Sequence, residues 1–469
     1  MVAIPFPLST EPGERPFEGA GRLINVYAEP VGPTARSGVV YHRVPGLDVF
    51  AETNEATFRG GLQVASTLYA AWEGTVKAIN SSGTVSANGS LSGTDKVFFA
   101  RNNNSTPQIA IVSGGGAFRV NGTSIASYPD SDVGSPNSVC EMDGWFFFTY
   151  GNGDCQASDL NSTNINTLNK IKAESVPGGL TRGFAHESDL YLMGPGGGEM
   201  WSYPVNDSGF PLNRAFTFTP GLAGKYAVAG FEKEFGNYPI YVGSDNSVRD
   251  LSTSVPQKIS PPDLDRLIAA VSDKNTLIAS AYISAGFAFW QLSSPDWTWV
   301  YCLNTRQWHE RESYLLSRSR MDLTVPAFGK WLTGDTQSGD LFELNESARK
   351  EGINPLIATL ESGPVTAFPR GLVNHRTDFM FTTGVGIAGG EDPIERDPQV
   401  EISYSDDGGR TYGIPSFHKL GRQAKSEVTV KKWRNGRANS HGRTWRVRVS
   451  DPVHFGFMGG DMQVAPTST

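Results

Sequence analysis

Apolar and polar positions alternate along this chain in short runs, and the runs return at a regular spacing. From Phe58 to Leu344 one unit recurs: an apolar strand, a tight polar turn, an aromatic-rich strand, a Gly/Asp/Asn cluster and a further strand. Its centres fall at Tyr69, Ile109, Phe147, Tyr191, Tyr241, Phe289 and Trp331, at steps of 38 to 50 residues. Short strands repeating at about forty residues are the mark of β-propeller blades or a comparable β array. One such unit cannot bury its own apolar face, so the units must stack or close into a ring. Seven centres predict seven blades, or six with an imperfect closing unit.

The turns carry their own signals. Asp143-Gly144 separates the runs Ser138 to Met142 and Trp145 to Tyr150, which predicts a hairpin. Gly114 to Gly116, Gly196 to Gly198, Ser244 to Asn246 and Ser338 to Asp340 hold the equivalent places. These glycines are turn chemistry and not a phosphate cradle, because no Gly-Lys-Ser/Thr opens a helix after them. One helix interrupts the array: Ser260-Pro-Pro-Asp263 offers a cap, and Leu264, Leu267, Ile268 and Val271 follow at helical spacing. It is expected across one end of the ring or against a neighbouring subunit.

Before the array, Arg22 to Pro30 reads as one strand stopped by proline and Gly38 to Arg43 as a second. Pro45-Gly46 predicts a type II turn with glycine at positive φ. After Asn354-Pro355 the alternation lengthens, with strands predicted at 356–360, 378–382, 399–404, 427–431 and 444–449. The fold class is therefore all-β: a β-propeller of six or seven blades with a C-terminal β-sandwich domain. Residues 1–57 form an N-terminal arm and lead-in strands, 58–355 the propeller and 356–469 the sandwich.

Hydrophobic residues make up 38% and charged residues 19%, which places the chain among globular proteins. Cys140, Cys155 and Cys302 are too few for a disulfide framework and point to a reducing compartment. Met1 to Thr10 lacks the pattern of a secretion signal, and no apolar run is long enough to span a bilayer. The net charge of −8 hides an asymmetry. Lys419 to Ser450 holds ten Lys/Arg against Glu427 alone, a local +9 that leaves −17 for the remainder. An acidic body with one basic segment suits an acidic protein partner, self-association or local nucleic-acid contact.

That segment gives the candidate binding strip: Lys431, Lys432, Trp433, Arg434, Arg437, Arg443, Arg446 and Arg448. Arginine interleaved with tryptophan is the composition of protein interfaces and of nucleic-acid surfaces. Alternation through Thr444 to Val449 sets Arg446 and Arg448 on one face, opposite Trp445, Val447 and Val449. A protein interface is preferred over DNA, since the rest of the chain is acidic. Ser405, Asp407, Gly409, Thr411 and Tyr412 fit the Asp-box hairpin common in sialidases and other propeller proteins, where its role is structural. It motivates an alternative reading as a glycan-binding or sialidase-like propeller. The carboxylate pairs Asp263/Asp265 and Glu391/Asp392 are explained by helix capping and loop solvation. The seven histidines are scattered without metal-ligand spacing, and no G-x-S-x-G elbow occurs. No active site, metal or cofactor is expected.

The order of parts resembles the packaged-DNA stabilisation proteins, or tail hubs, of short-tailed P22-like bacteriophages. The similarity rests first on Asn25-Val-Tyr-Ala-Glu-Pro30 followed by Tyr41-His-Arg-Val-Pro-Gly-Leu47. It continues in the helix Leu264 to Val271, the strand ending Val300-Tyr301 and the turn closing on Trp308. It ends on Tyr404 to Tyr412, Val430-Lys-Lys-Trp433, Gly436-Arg437 and Trp445-Arg-Val-Arg-Val449. The resemblance implies a non-enzymatic protein of the virion tail, assembled in the bacterial cytoplasm as a homo-hexameric ring. Implied partners are the portal-adaptor ring, a tail needle or plug, tailspikes or fibres, and double-stranded DNA passing through the channel. An acidic lining would let that DNA slide past.

Overall fold

The repeating strands build seven four-stranded blades, whose first strands begin at Phe58, Phe98, Ser138, Arg182, Val228, Ile278 and Met321. The computed structural model describes residues 1–32, 35, 37–203, 210–390 and 393–467. All seven centres of the sequence period lie on the second strand of a blade. Asp143 and Gly144 both take positive φ, 51° and 92°, between Met142 and Trp145, as the predicted two-residue hairpin requires.

Blade seven takes only three strands from its own stretch of chain, 321–345. Its outer strand is Gly46–Ala51, antiparallel to Leu341–Asn345. The ring is thus closed by pairing a segment before the first blade with the last blade. The closure is tied down by polar contacts. Trp72 Nε1 donates to Gly339 O at 2.6 Å, Thr53 Oγ1 to the same oxygen at 2.9 Å, and Thr53 N to Asp340 Oδ1 at 3.0 Å. The type II turn expected at Pro45-Gly46 does not form. Gly46 does not take positive φ; it opens the closing strand, where an added Cβ would lie 2.5 Å from Lys350 O.

The helix Pro262–Ala270 packs its apolar face on blades five and six and leaves Pro262, Arg266, Ala269 and Ala270 exposed. Leu264 and Ile268 are fully buried in the wedge between blades five and six, beside Val248, Trp290 and Trp299. Blade five has strands of only two or three residues, and the helix supplies apolar surface they lack. On the ring axis Tyr226, just before blade five, stacks on Phe98 of blade two at 5.9 Å. Those blades stand nearly opposite in a ring of seven, so side chains fill the centre at this level. Arg182 and Lys225 add cation–π contacts to Phe98 at 4.8 and 5.1 Å.

Apart from Lys350–Glu351 and Asn354–Pro355, which join the sheet of blade seven beyond Gly46–Ala51, the remaining strands form two sheets around one core. One sheet runs Val26–Pro30, Val39–Arg43, Gly456–Pro466, Leu372–Phe381 and Val430–Ala438. The other runs Gly21–Ile24, Ala358–Ser362, Thr444–Val449, Gln399–Ser405 and Ser416–Lys419. Leu23, Ile402, Trp445 and Val447 from the second meet Val26, Phe379, Phe457 and Met462 from the first. The second sheet is continuous with blade six through a parallel bridge from Ile24 to Glu310.

The single strand expected over Arg22 to Pro30 is broken at Asn25, and its halves enter opposite sheets. Asn25 takes φ 57° and is buried. Its Nδ2 donates to Glu312 O at 2.7 Å and Ile357 O at 2.8 Å, and its Oδ1 accepts from Glu312 N at 3.1 Å. One side chain therefore joins propeller, lead-in and second body. Asn25→Ala leaves those groups unpaired and forces alanine into the left-handed region, a loss of about 2–4 kcal/mol. Asn25→Gly keeps the backbone and loses less. Urea denaturation midpoints, ordered wild type, then glycine, then alanine, check this; equal losses would show that the backbone conformation contributes nothing.

Candidate interaction surface

The basic strip divides into residues that hold the second body together and residues that face outward. Arg443 belongs to the first group and is 1% exposed. Its Nε and Nη2 donate to Asp406 at 2.7 and 2.8 Å, and its Nη1 and Nη2 to Asn435 O and Arg437 O at 2.6 and 2.9 Å. Its guanidinium lies 3.8 Å from the Tyr404 ring centre. Charge, planarity and a fork of donors are all used, which suits arginine and not lysine. The same contacts occupy two carbonyls of the strand 430–438, so this stretch of sheet edge is closed to a further strand.

Arg446 lies flat on Tyr412, 3.8 Å from its ring centre, and stands opposite Glu361 across the sheet. Burial pushes the Glu361 carboxyl up from its ordinary range, against the neighbouring arginines 22 and 446. Arg448 faces Glu401 at 3.9 Å. As expected, Trp445, Val447 and Val449 point into the core. Lys432 donates to Ser416 Oγ at 2.7 Å, and burial draws its ammonium pKa down.

Lys431, Trp433, Arg434 and Arg437 remain exposed on strand 430–438. Opposite His375 this strand carries an extra residue, with Asn374 paired to Gly436 and Arg376 to Trp433. Arg434 takes φ 58° in this bulge, so two successive side chains, Trp433 and Arg434, both face solvent. Trp433 is 59% exposed and lies 5.1 Å from the guanidinium of Arg376, itself paired to Asp378 at 2.8 Å. Among the described residues, Lys431, Arg434 and Arg437 form no ion pair. Arg376 and Asp406 escaped the sequence reading. Their signal lay only in strand register, which composition does not give.

The Asp-box residues form the turn between strands 399–405 and 416–419. Ser405 Oγ donates to Asp407 Oδ1 at 2.6 Å and accepts from Gly409 N at 2.9 Å. Thr411 donates to Asp407 twice, N to Oδ1 at 2.9 Å and Oγ1 to Oδ2 at 2.5 Å. Both carboxylate oxygens are thus committed to the hairpin, and Tyr412 anchors it beneath Arg446. Asp263 and Asp265 lie in the first turn of the helix, paired with Arg266 and Lys258. Glu391 and Asp392 lie outside the described residues. His309 is buried beside Arg311, and burial followed by that charge pulls its pKa down to about 3. Among the described residues no group of three His, Cys, Asp or Glu is placed to hold a metal ion, and no helix is long and apolar enough to cross a membrane.

A family model described as "Bacteriophage P22 Gp10, beta-propeller", for phage stabilisation proteins, matches residues 22–349. The chain belongs to this family. The match opens at Arg22, where the sheet shared with blade six begins, and ends just beyond blade seven. A search of curated proteins finds no significant match. Among solved structures, "Structure of U3-55K" is 8% identical over 64% of this chain and 99% of that one, with a TM-score of 0.43. The WD40 β-propeller domain of Doa1 is 9% identical over 64% and 96%, TM-score 0.41. BamB from Moraxella catarrhalis is 10% identical over 68% and 97%, TM-score 0.39.

The hairpin carries a pH prediction. Hydrogen bonds from Ser405 and then Thr411 hold Asp407 at about 2, below its ordinary 3.8. A depressed folded pKa stabilises the hairpin above the unfolded value, and that contribution is lost as pH falls through about 2. Protection of the Thr411 amide, corrected for intrinsic exchange, is expected to fall between those limits. Asp407→Asn is expected to flatten the profile.

Proposed function

We propose that the chain is a head-closure or tail-hub protein, a ring-forming virion component that joins the portal-adaptor to the tail needle and tailspikes and retains packaged DNA. The family match over residues 22–349 carries this reading. The architecture suits such a role, being a cross-tied β scaffold with exposed basic and aromatic residues gathered on one strand of the second body. The family is one of phage structural proteins, and the role asks for surfaces and rigidity, not for a reacting group. Arg443 and the Asp-box carboxylate, the two most chemically suggestive groups, are engaged in holding structure.

Deletion of the gene tests the proposal. Phage particles lacking the chain are expected to package DNA, lose it, and be non-infectious until the protein is supplied in trans. The fraction of filled heads in electron micrographs and the plaque titre measure this. Particles that keep their DNA and infect without the chain would overturn it.

A further inference from the structure

The four exposed residues of strand 430–438 have a counterpart on the same chain. Between Arg119 and Lys170 stand six acids, Asp130, Asp132, Glu141, Asp143, Asp154 and Asp159, with no lysine, arginine or histidine among them. The stretch is blade three and its approach. Four of these acids gather at one end of the blade. Asp130 Oδ2 accepts from Ile165 N at 2.8 Å, drawing the loop 159–164 toward Asp132. Asn161 N donates to Gly144 O at 2.8 Å, setting the same loop against the Asp143 turn. Asp132 and Asp143 are exposed and Asp159 is half-buried. Blade three thus ends in an acidic knob.

We infer that the basic, Trp433-centred strand of one copy docks on the acidic end of blade three of the next copy. This deepens the ring reading and rests on it. Charge complementarity selects the occupant: the strip offers Lys431, Arg434 and Arg437 without internal ion pairs, and Asp132, Asp143 and Asp159 of the knob form no ion pair among the described residues, Lys233 and Arg101 lying nearer Glu141. Two different patches on one chain make a heterologous contact, the kind that generates rings when the rotation closes. Trp433 supplies the anchor. It is a large, half-exposed aromatic against the Arg376 guanidinium, and such residues dominate interface energies while charges around them set register and encounter rate. The backbone edge is not the docking element, since Arg443 already occupies the carbonyls of Asn435 and Arg437.

Sedimentation velocity and native mass spectrometry of the full chain, across protein concentration and salt, test the contact. The double variant R434E/R437E is expected to weaken self-association about tenfold or more, as is D132K/D159K, with unchanged melting temperatures. Asp130 and Asp143 are left intact because they shape the loops. The fourfold variant combining both sets restores opposite charge and is expected to regain association. Wild-type assembly that R434E/R437E leaves unchanged would overturn the interface and spare the hub reading. So would a strip variant that loses affinity for a short duplex DNA while assembling normally. A wild-type chain that never associates, with deletion phage fully infectious, removes both.

Discussion

Everything else in the molecule depends on where residues 21–51 are placed. Gly21–Ile24 extends blade six into the second body, Val26–Pro30 and Val39–Arg43 lie in the opposite sheet, and Gly46–Ala51 completes blade seven. Neither the ring nor the two-sheet body is finished without this thread. The shared sheet is stitched by a row of alternating charge. Arg22 is paired to Glu310 at 2.5 Å and stands opposite Glu361, which stands opposite Arg446. Charges this poorly solvated are tolerated because Glu361 stands between Arg22 and Arg446 and Glu310 accepts from Arg22 and Thr10; removing one would strand its neighbours. Burial and pairing act against each other at Glu361.

This threading explains the character of the propeller. A ring of blades is held by its last contact, and here that contact is made between segments separated by almost the whole propeller. Such closure is costly in chain entropy until it forms, then resists opening because every blade must separate at once. The polar knot around Gly339 and the packing of Phe58 on Trp72 at 5.4 Å lie at this seam. The weak member of the ring is blade five. It is buttressed by Leu264 and Ile268 of the helix, so its short strands gain apolar support from outside their own sheet.

The period was legible because burial repeats with the strands. All seven aromatic or aliphatic centres mark second strands, which lie between neighbours and are the most fully covered. Asp143-Gly144 was legible because its backbone conformation leaves little choice of residue. The closing strand was not, since pairing over so long a separation leaves no local pattern and Pro45-Gly46 mimics a turn. Nor was the break at Asn25. Its neighbours read as continuous strand, and only the tertiary bonds of its amide hold the left-handed residue there.

The basic strip shows the same division at the level of single side chains. In the sequence Arg443 and Arg437 are equivalent; in the fold one is a buried clasp and the other a cation facing solvent. What separates them is the partner. Asp406 reaches Arg443 from the adjoining hairpin, and Tyr404 supplies the flat surface its guanidinium needs. Among the described residues no acid comparably reaches Arg437. A segment rich in arginine therefore has to be read with its acids. Where one comes within reach the charge is absorbed into the structure, and where none does the charge remains for another molecule. The bulge at Arg434 sharpens this, because it turns Trp433 and Arg434 outward together where a regular strand would have turned one of them in.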